Sequence, residues 1–201
     1  EVGAFKKEFQ PYVEIFLEDE AILPSLPAIY TLETDNDSFN TALAKYSEQI
    51  ALFESDIPVL KTCGIFEIDA VDLQKHLRPV PKLCKAKVEA LIPSLLHQRM
   101  DAFFRSCISK TNALSKETRS VDEFVAHSKY LAEVGTQLQV LELGLEHINE
   151  TKMMMEEQQV EMLDGSAAFY SQVVRGLDDL RAIVVICDQG LDEQQKKLKV
   201  E

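Results

Sequence analysis

Tryptophan is missing from this sequence, and its seven glycines are scattered singly. Phosphate-cradling turns need clustered glycines that let backbone N–H groups converge, so neither a P-loop nor a dinucleotide-binding fingerprint can be built from these residues. Positive charge is scarce: 21 Lys and Arg stand against 34 Asp and Glu, a formal net charge of −13. Phosphate backbones and anionic lipid surfaces attract proteins through a surplus of cations. This balance therefore argues against nucleic-acid binding as the main role and against attraction to anionic membranes. The longest uninterrupted apolar run, Ala182 to Cys187, is far too short to span a bilayer. The cysteines, Cys63, Cys84, Cys107 and Cys187, form no CxxC pair and have no histidine at ligand spacing. Cys84 and Cys107 fall on one predicted helix, too far apart to bridge, which points to reduced core thiols in an intracellular setting. Alternating β-branched runs are also scarce, which leaves helices as the material of the fold.

What is present is long-range helical periodicity. The 46% hydrophobic content with 27% charged residues belongs to a folded chain rather than a disordered one. Phe5, Phe9, Tyr12, Val13, Phe16 and Leu17 form a helical stripe interrupted by Pro11, as one helix or as two short pieces. Glu18 to Thr34, with Pro24 and Pro27, has no strong period and reads as a connector. Asp35 to Ser38 supplies caps for a helix carrying Phe39, Leu43, Tyr46, Ile50, Phe53 and Ile57, which Pro58 ends. After an extended or turn segment at Gly64, Asp69 is the candidate N-cap of a short helix with Asp72 in its first turn. Pro79 and Pro81 interrupt it, and the next helix re-enters near Lys82.

That helix carries Cys84, Val88, Leu91, Leu95, Met100, Phe103 and Cys107, widened by Ile92, Leu96, Phe104 and Ile108, so it packs against more than one neighbour. Pro93 should kink it rather than end it. The pattern dissolves between Asn112 and Arg119. Ser120 and Glu123 then form a capping box that opens a helix predicted to reach about Leu163. Its seam is Phe124, His127, Leu131, Val134, Leu138, Leu141, Leu145, Ile148, Lys152, Met155, Gln159 and Met162. Asp164-Gly165-Ser166 is a turn, and Tyr170, Val173, Leu177, Leu180, Val184, Cys187, Leu191, Gln194 and Leu198 form a last seam. The expected fold is all-α, an elongated antiparallel bundle of long amphipathic helices. It divides into a helical lead-in and connector over 1–34 and a bundle over 35–201.

Chemistry is not visible in the pattern. His76, His97, His127 and His147 are scattered without helical ligand spacing, and His127 falls on an apolar seam as a core histidine. Asp178-Asp179 and Glu156-Glu157 read as solvated faces. Met153-Met154-Met155 cannot share one helix face, so at most two are core. No catalytic, cofactor-binding or metal-ligating residue is assigned. Residue 1 is Glu rather than Met, and the expectation is a piece of a longer chain.

Gly64-Ile65-Phe66-Glu67-Ile68-Asp69, just after Ile57-Pro58, then a Leu-rich helix, the corner from Arg119 to Val125, and Lys129-Tyr130-Leu131 follow one another in a recognisable order. In that order and spacing the sequence resembles dynein heavy chains of the axonemal branch, in the tail region before the linker and motor ring. The resemblance is best over roughly residues 37 to 163. Ala70 departs from the Cys or Ser common in the family, and Pro79, Pro81 and Pro93 crowd a helix that is usually proline-poor. The resemblance implies a non-catalytic stem segment of a microtubule-based motor in the cytoskeleton of the cilium. It implies ATP and Mg only in the parent motor domain, and neighbouring bundles of the same heavy chain as partners. Dynein intermediate or light chains and adjacent axonemal complexes are further implied partners, with no nucleic acid and no membrane. The alternative from another class is a spectrin-like or coiled-coil adaptor that binds partner helices.

Overall fold

A computed structural model describes residues 2–55, 57, 60–63 and 66–198. The fold is all-α, a helical bundle, with one two-stranded hairpin among the described residues. The helices are α1 (Val2–Ile22), α2 (Leu26–Ile29, preceded by a 3-10 turn at Leu23–Ser25), α3 (Asn36–Ser55), α4 (Val71–Leu77), α5 (Pro79–Leu114), α6 (Val121–Glu157) and α7 (Ser166–Leu198). The hairpin pairs β1 (Leu60–Cys63) with β2 (Phe66–Asp69), Leu60 opposite Asp69 and Cys63 opposite Phe66. The chain forms two compact units, one up to Leu95 and one from Leu96 onward. The boundary between them falls inside the continuous helix α5.

In the first unit, α1 continues through Pro11 as a single helix. A proline inside a helix costs about 3 kcal/mol, but burial on both sides of it opposes the break. Phe9 packs with Phe53, Ile57 and Leu77, and Tyr12, Ile15 and Phe16 lie against the same cluster. The connector expected from Glu18 is shorter than its sequence implied. Residues 18–22 stay helical, and Pro24 and Pro27 then each sit at the start of a short helical turn, where a fixed φ and a missing N–H are harmless. Asp35 caps α3, its Oδ1 accepting from the Ser38 N–H at 2.7 Å. Phe39, Leu43, Tyr46 and Phe53 are buried as their spacing predicts and Ile50 is half-buried, but α3 stops at Ser55, so Ile57, expected on the helix, is buried just beyond it. Pro58, named as the stop of α3, lies outside the described residues.

Two helix starts differ from expectation. Ala70, not Asp69, is the N-cap of α4, though Asp69 Oδ1 still accepts from the Val71 N–H at 2.8 Å. The next helix begins at Pro79 rather than Lys82, because proline is pre-shaped for a first helical turn and ends only the helix before it. Gln74 ties α4 to the segment just beyond α3 by donating to the Ile57 carbonyl, and Arg78 Nε, at the end of α4, donates to the Phe53 carbonyl of α3 at 3.3 Å. Pro93 does not end α5, as expected.

In the second unit, the end of α5 packs with α6 and α7. Arg99 meets His147 and Leu114 meets His127, so residue numbers rise along α5 as they fall along α6. Tyr170 meets Asn149 and Arg181 meets Glu142, so the direction reverses again between α6 and α7. Three helices alternate up, down and up around Cys107, Leu114, Leu131, Val134, Leu177 and Leu180. Of the predicted seams, Leu131, Val134, Leu138, Leu141 and Leu145 on α6 and Leu177, Leu180, Val184, Cys187 and Leu191 on α7 line this core, while the side chains of Gln194 and Leu198 lie outside the described residues. α5 touches both neighbours: Phe103 lies against Gly144 and Phe104 against Gly176.

The corner into α6 is the expected capping box. Ser120 Oγ accepts from the Glu123 N–H at 3.2 Å, and Glu123 Oε2 reaches back to the Arg119 N–H at 2.8 Å. The far end of α6 differs: the helix stops at Glu157, not Leu163. Gln159 adopts φ 57°, the Val160 N–H donates to the Met155 carbonyl at 2.8 Å, and the Gln159 N–H donates to the Glu156 carbonyl at 3.2 Å. This is a Schellman closure with glutamine in the left-handed place where glycine is usual, so the sequence carried no stop signal there. Gly165, at φ 78°, then turns the chain into α7.

Candidate functional site

The residues weighed for chemistry are not brought together. Asp178 is held by Arg181 Nη1 at 3.0 Å and Glu156 by Lys152 Nζ at 2.8 Å, both at the surface. Met154 and Met155 are buried while Met153 is 59% exposed, which is the split that one helix face allows. Cys84 and Cys107 are buried free thiols whose pKa burial pushes up, so neither is a poised nucleophile. The side chain of Cys63 lies outside the described set. Among the described residues no group of three or more His, Cys, Asp or Glu is placed to hold a metal, and no helix is long and apolar enough to cross a membrane.

The histidines are built into the packing. His127 Nε2 lies 3.0 Å from the Leu114 carbonyl, tying the end of α5 to the start of α6, while its buried Nδ1 has no partner. His97 Nδ1 lies 3.2 Å from the buried Ser166 hydroxyl, and its ring lies against Phe169. Arg99 Nη1 lies 3.3 Å from His147 Nε2, with Glu150 Oε2 3.5 Å from Nδ1 on the other side. An arginine only donates, so this arrangement puts the His147 proton on Nδ1. His76, on α4, turns its Nδ1 to the Asp72 carbonyl one turn back.

Two groupings were not read from the sequence. Asp19, fully buried on α1, lies 3.2 Å from Lys45 Nζ through Oδ1, while Oδ2 has no hydrogen-bond partner. Cys84 donates its thiol to the Asp19 carbonyl at 3.6 Å, and Tyr46 beside it has its phenol pushed up, mainly by burial. This cluster locks α1, α3 and α5 of the first unit together, with Lys45 half exposed over buried Asp19.

The second grouping is a cleft of about 400 Å³ between α2 and the start of α3. Its floor includes Leu26 and Ala42, both buried, and its edges are the exposed Ile22 and Ile29. Tyr30 stacks on Phe39 at 5.1 Å between ring centroids and forms one wall. A polar hollow of about 420 Å³ adjoins it, sharing Ile29, Tyr30, Asp35 and Ser38 and adding Thr31, Glu33 and Thr34. The spacing of Leu26, Ile29 and Tyr30 was the available signal for a helical turn here, hidden by the prolines around it. At the α5–α6 corner a wider hollow of about 670 Å³ carries Lys116, Arg119, Glu117 and Glu123. Its charges are of both signs and Glu123 is occupied by the cap, so it selects no ligand.

No known protein family's sequence profile matches the chain, and no curated protein sequence matches it.

Proposed function

We propose that the chain is a non-catalytic structural segment of the stem of an axonemal-type dynein heavy chain. In that role it links the tail to the linker and ATPase ring of a microtubule-based motor that drives ciliary beating. ATP and Mg act in the parent's ring, outside these residues. Neighbouring bundles of the same heavy chain pack against the segment, and intermediate or light chains or adjacent axonemal complexes contact it.

The observation that carries this reading is the capped corner at Ser120. It lies at the place in the motif order where the resemblance expects it, and it opens a helix of 37 residues, about 55 Å of rigid element at 1.5 Å per residue. A stem transmits displacement only if its helices cannot slide past one another. Interlocked core side chains such as Leu131, Val134, Leu177 and Leu180 resist that motion.

The test is Leu177→Asp with Leu180→Asp in the native heavy chain, beside Val185→Asp, which sits 53% exposed on the same helix. A charge left unpaired in the core is not tolerated, whereas an exposed one is solvated. The seam variant is expected to keep microtubule-stimulated ATPase per motor ring and to lose microtubule sliding, with Val185→Asp unaffected in both. Unimpaired sliding in the seam variant, or loss of ATPase with the ring still folded, refutes the proposal.

The up-down-up arrangement of α5, α6 and α7 favours a second reading, a spectrin-like adaptor whose bundles tether partner helices. The two readings differ in the size of the native polypeptide.

A further inference from the structure

We propose that the cleft between α2 and α3, with the polar hollow beside it, is a docking site for a partner protein's peptide. The peptide carries a large apolar side chain next to an arginine or lysine.

The two hollows differ in chemistry and share Ile29, Tyr30, Asp35 and Ser38 in their linings. The first, about 400 Å³, has buried Leu26 and Ala42 at its base and exposed Ile22 and Ile29 at its rim. That is within the range of sites that enclose small groups, and it suits one or two aliphatic or aromatic side chains. Exposed apolar edges around a concave floor, rimmed by polar groups, are what interaction sites display. The adjoining hollow is lined by Glu33, Asp35 and hydroxyls of Thr31, Thr34 and Ser38. It takes a polar cationic group where the first takes an apolar one.

Charge fixes the sign of the occupant. Glu33, Asp35 and Asp37 fall within five residues on the rims of the two hollows. Lys45 is the cation lining the first, and its ammonium is held by buried Asp19. Helix N-termini commonly attract anions, but Asp35 already accepts from the first turn of α3, and Asp37 adds negative charge there. A phosphate or an anionic lipid headgroup is therefore repelled, and a cationic side chain is attracted. The pairing holds whether the chain serves as a stem or as an adaptor.

The test is fluorescence anisotropy with the whole chain and a dye-labelled peptide of alternating Leu and Arg. Two comparison peptides carry Ser for Leu, and Glu for Arg. The Leu-Arg peptide is expected to bind, the Ser peptide about ten-fold more weakly, and the Glu peptide not at all. Ile29→Ser, at an exposed position, weakens binding by about the same factor as removing the peptide's leucines. Glu33→Gln with Asp37→Asn weakens it about five-fold at low salt, and high salt shrinks that difference. Glu157→Gln with Glu161→Gln removes the same charge from exposed positions elsewhere and leaves binding unchanged. Equal weakening by both charge pairs would mean diffuse attraction to an acidic surface and would overturn the site. So would equal binding of the Leu and Ser peptides, no effect of Ile29→Ser in a folded variant, or no binding of the Leu-Arg peptide.

Discussion

Leu177→Ala puts the packing of the second unit to a quantitative test. Leu177 is 0% exposed and shares its cluster with Cys107 and Leu114 of α5 and with Leu131 and Val134 of α6. Truncation to alanine removes about three methylene equivalents at ~0.8 kcal/mol each, about 2.4 kcal/mol of transfer free energy. The cavity left among three helices adds to this, because helices held at many other points cannot collapse into it, and the expected cost is about 3–4 kcal/mol. In a unit of this size each kcal/mol moves the thermal midpoint by about 4–8 °C, so a drop of roughly 12–30 °C follows. Urea unfolding read by far-UV circular dichroism measures the free energy directly, with the slope unchanged if the folded and unfolded states keep their compactness. Ile186→Ala, at a position 62% exposed on the same helix, is the matched control and should stay within about 0.5 kcal/mol. A Leu177→Ala loss below about 1 kcal/mol, or an Ile186→Ala loss as large, would contradict the assignment of the buried face of α7.

Gln159→Gly should raise stability by about 1 kcal/mol, because the left-handed conformation costs a side chain about 1–2 kcal/mol and glycine almost nothing. A loss in the same urea titration would mean that the Schellman closure of α6 is misplaced. The thiols of Cys84, Cys107 and Cys187 and the phenols of Tyr30 and Tyr46 are all pushed up, chiefly by burial. The folded chain therefore holds these protons more tightly than the unfolded chain. Stability should be intact below the ordinary thiol value of 9.0 and decline as pH rises above it. A urea midpoint that is flat or rising from neutral pH to about pH 10 would contradict the burial of these groups.

The seams were legible because burial at period 3.5 leaves a direct trace in the sequence. Val173, Leu177 and Leu180 on α7, and Leu131, Val134 and Ile148 on α6, are the buried positions their spacing indicates. Ser120 and Glu123 were legible for a different reason: a capping box satisfies local N–H groups with local side chains and needs no tertiary context. Features that depend on distant partners or on unusual backbone were hidden. The end of α6 rests on a left-handed glutamine, which no propensity announces. The helical turns from Leu23 to Ile29 depend on Leu26 being buried, while Pro24 and Pro27 signal interruption. Of the paired strands, only the stretch from Gly64 was read as an extended or turn segment and Leu60–Cys63 was not read as a strand, because strands of four residues are too short to establish a period. The cleft beside α2 was invisible for the same reason as the turns that build it. The full burial of Asp19 was equally unreadable, since a carboxylate in an unperiodic stretch normally signals solvent.

The size of the native polypeptide tests the stem proposal most directly. Antibody or tryptic-peptide detection on a denaturing gel of cell and cilium extracts would report it. The account predicts a very large band enriched in the ciliary fraction. A band near 22.7 kDa, the mass of these 201 residues, would contradict it and leave a free-standing helical adaptor.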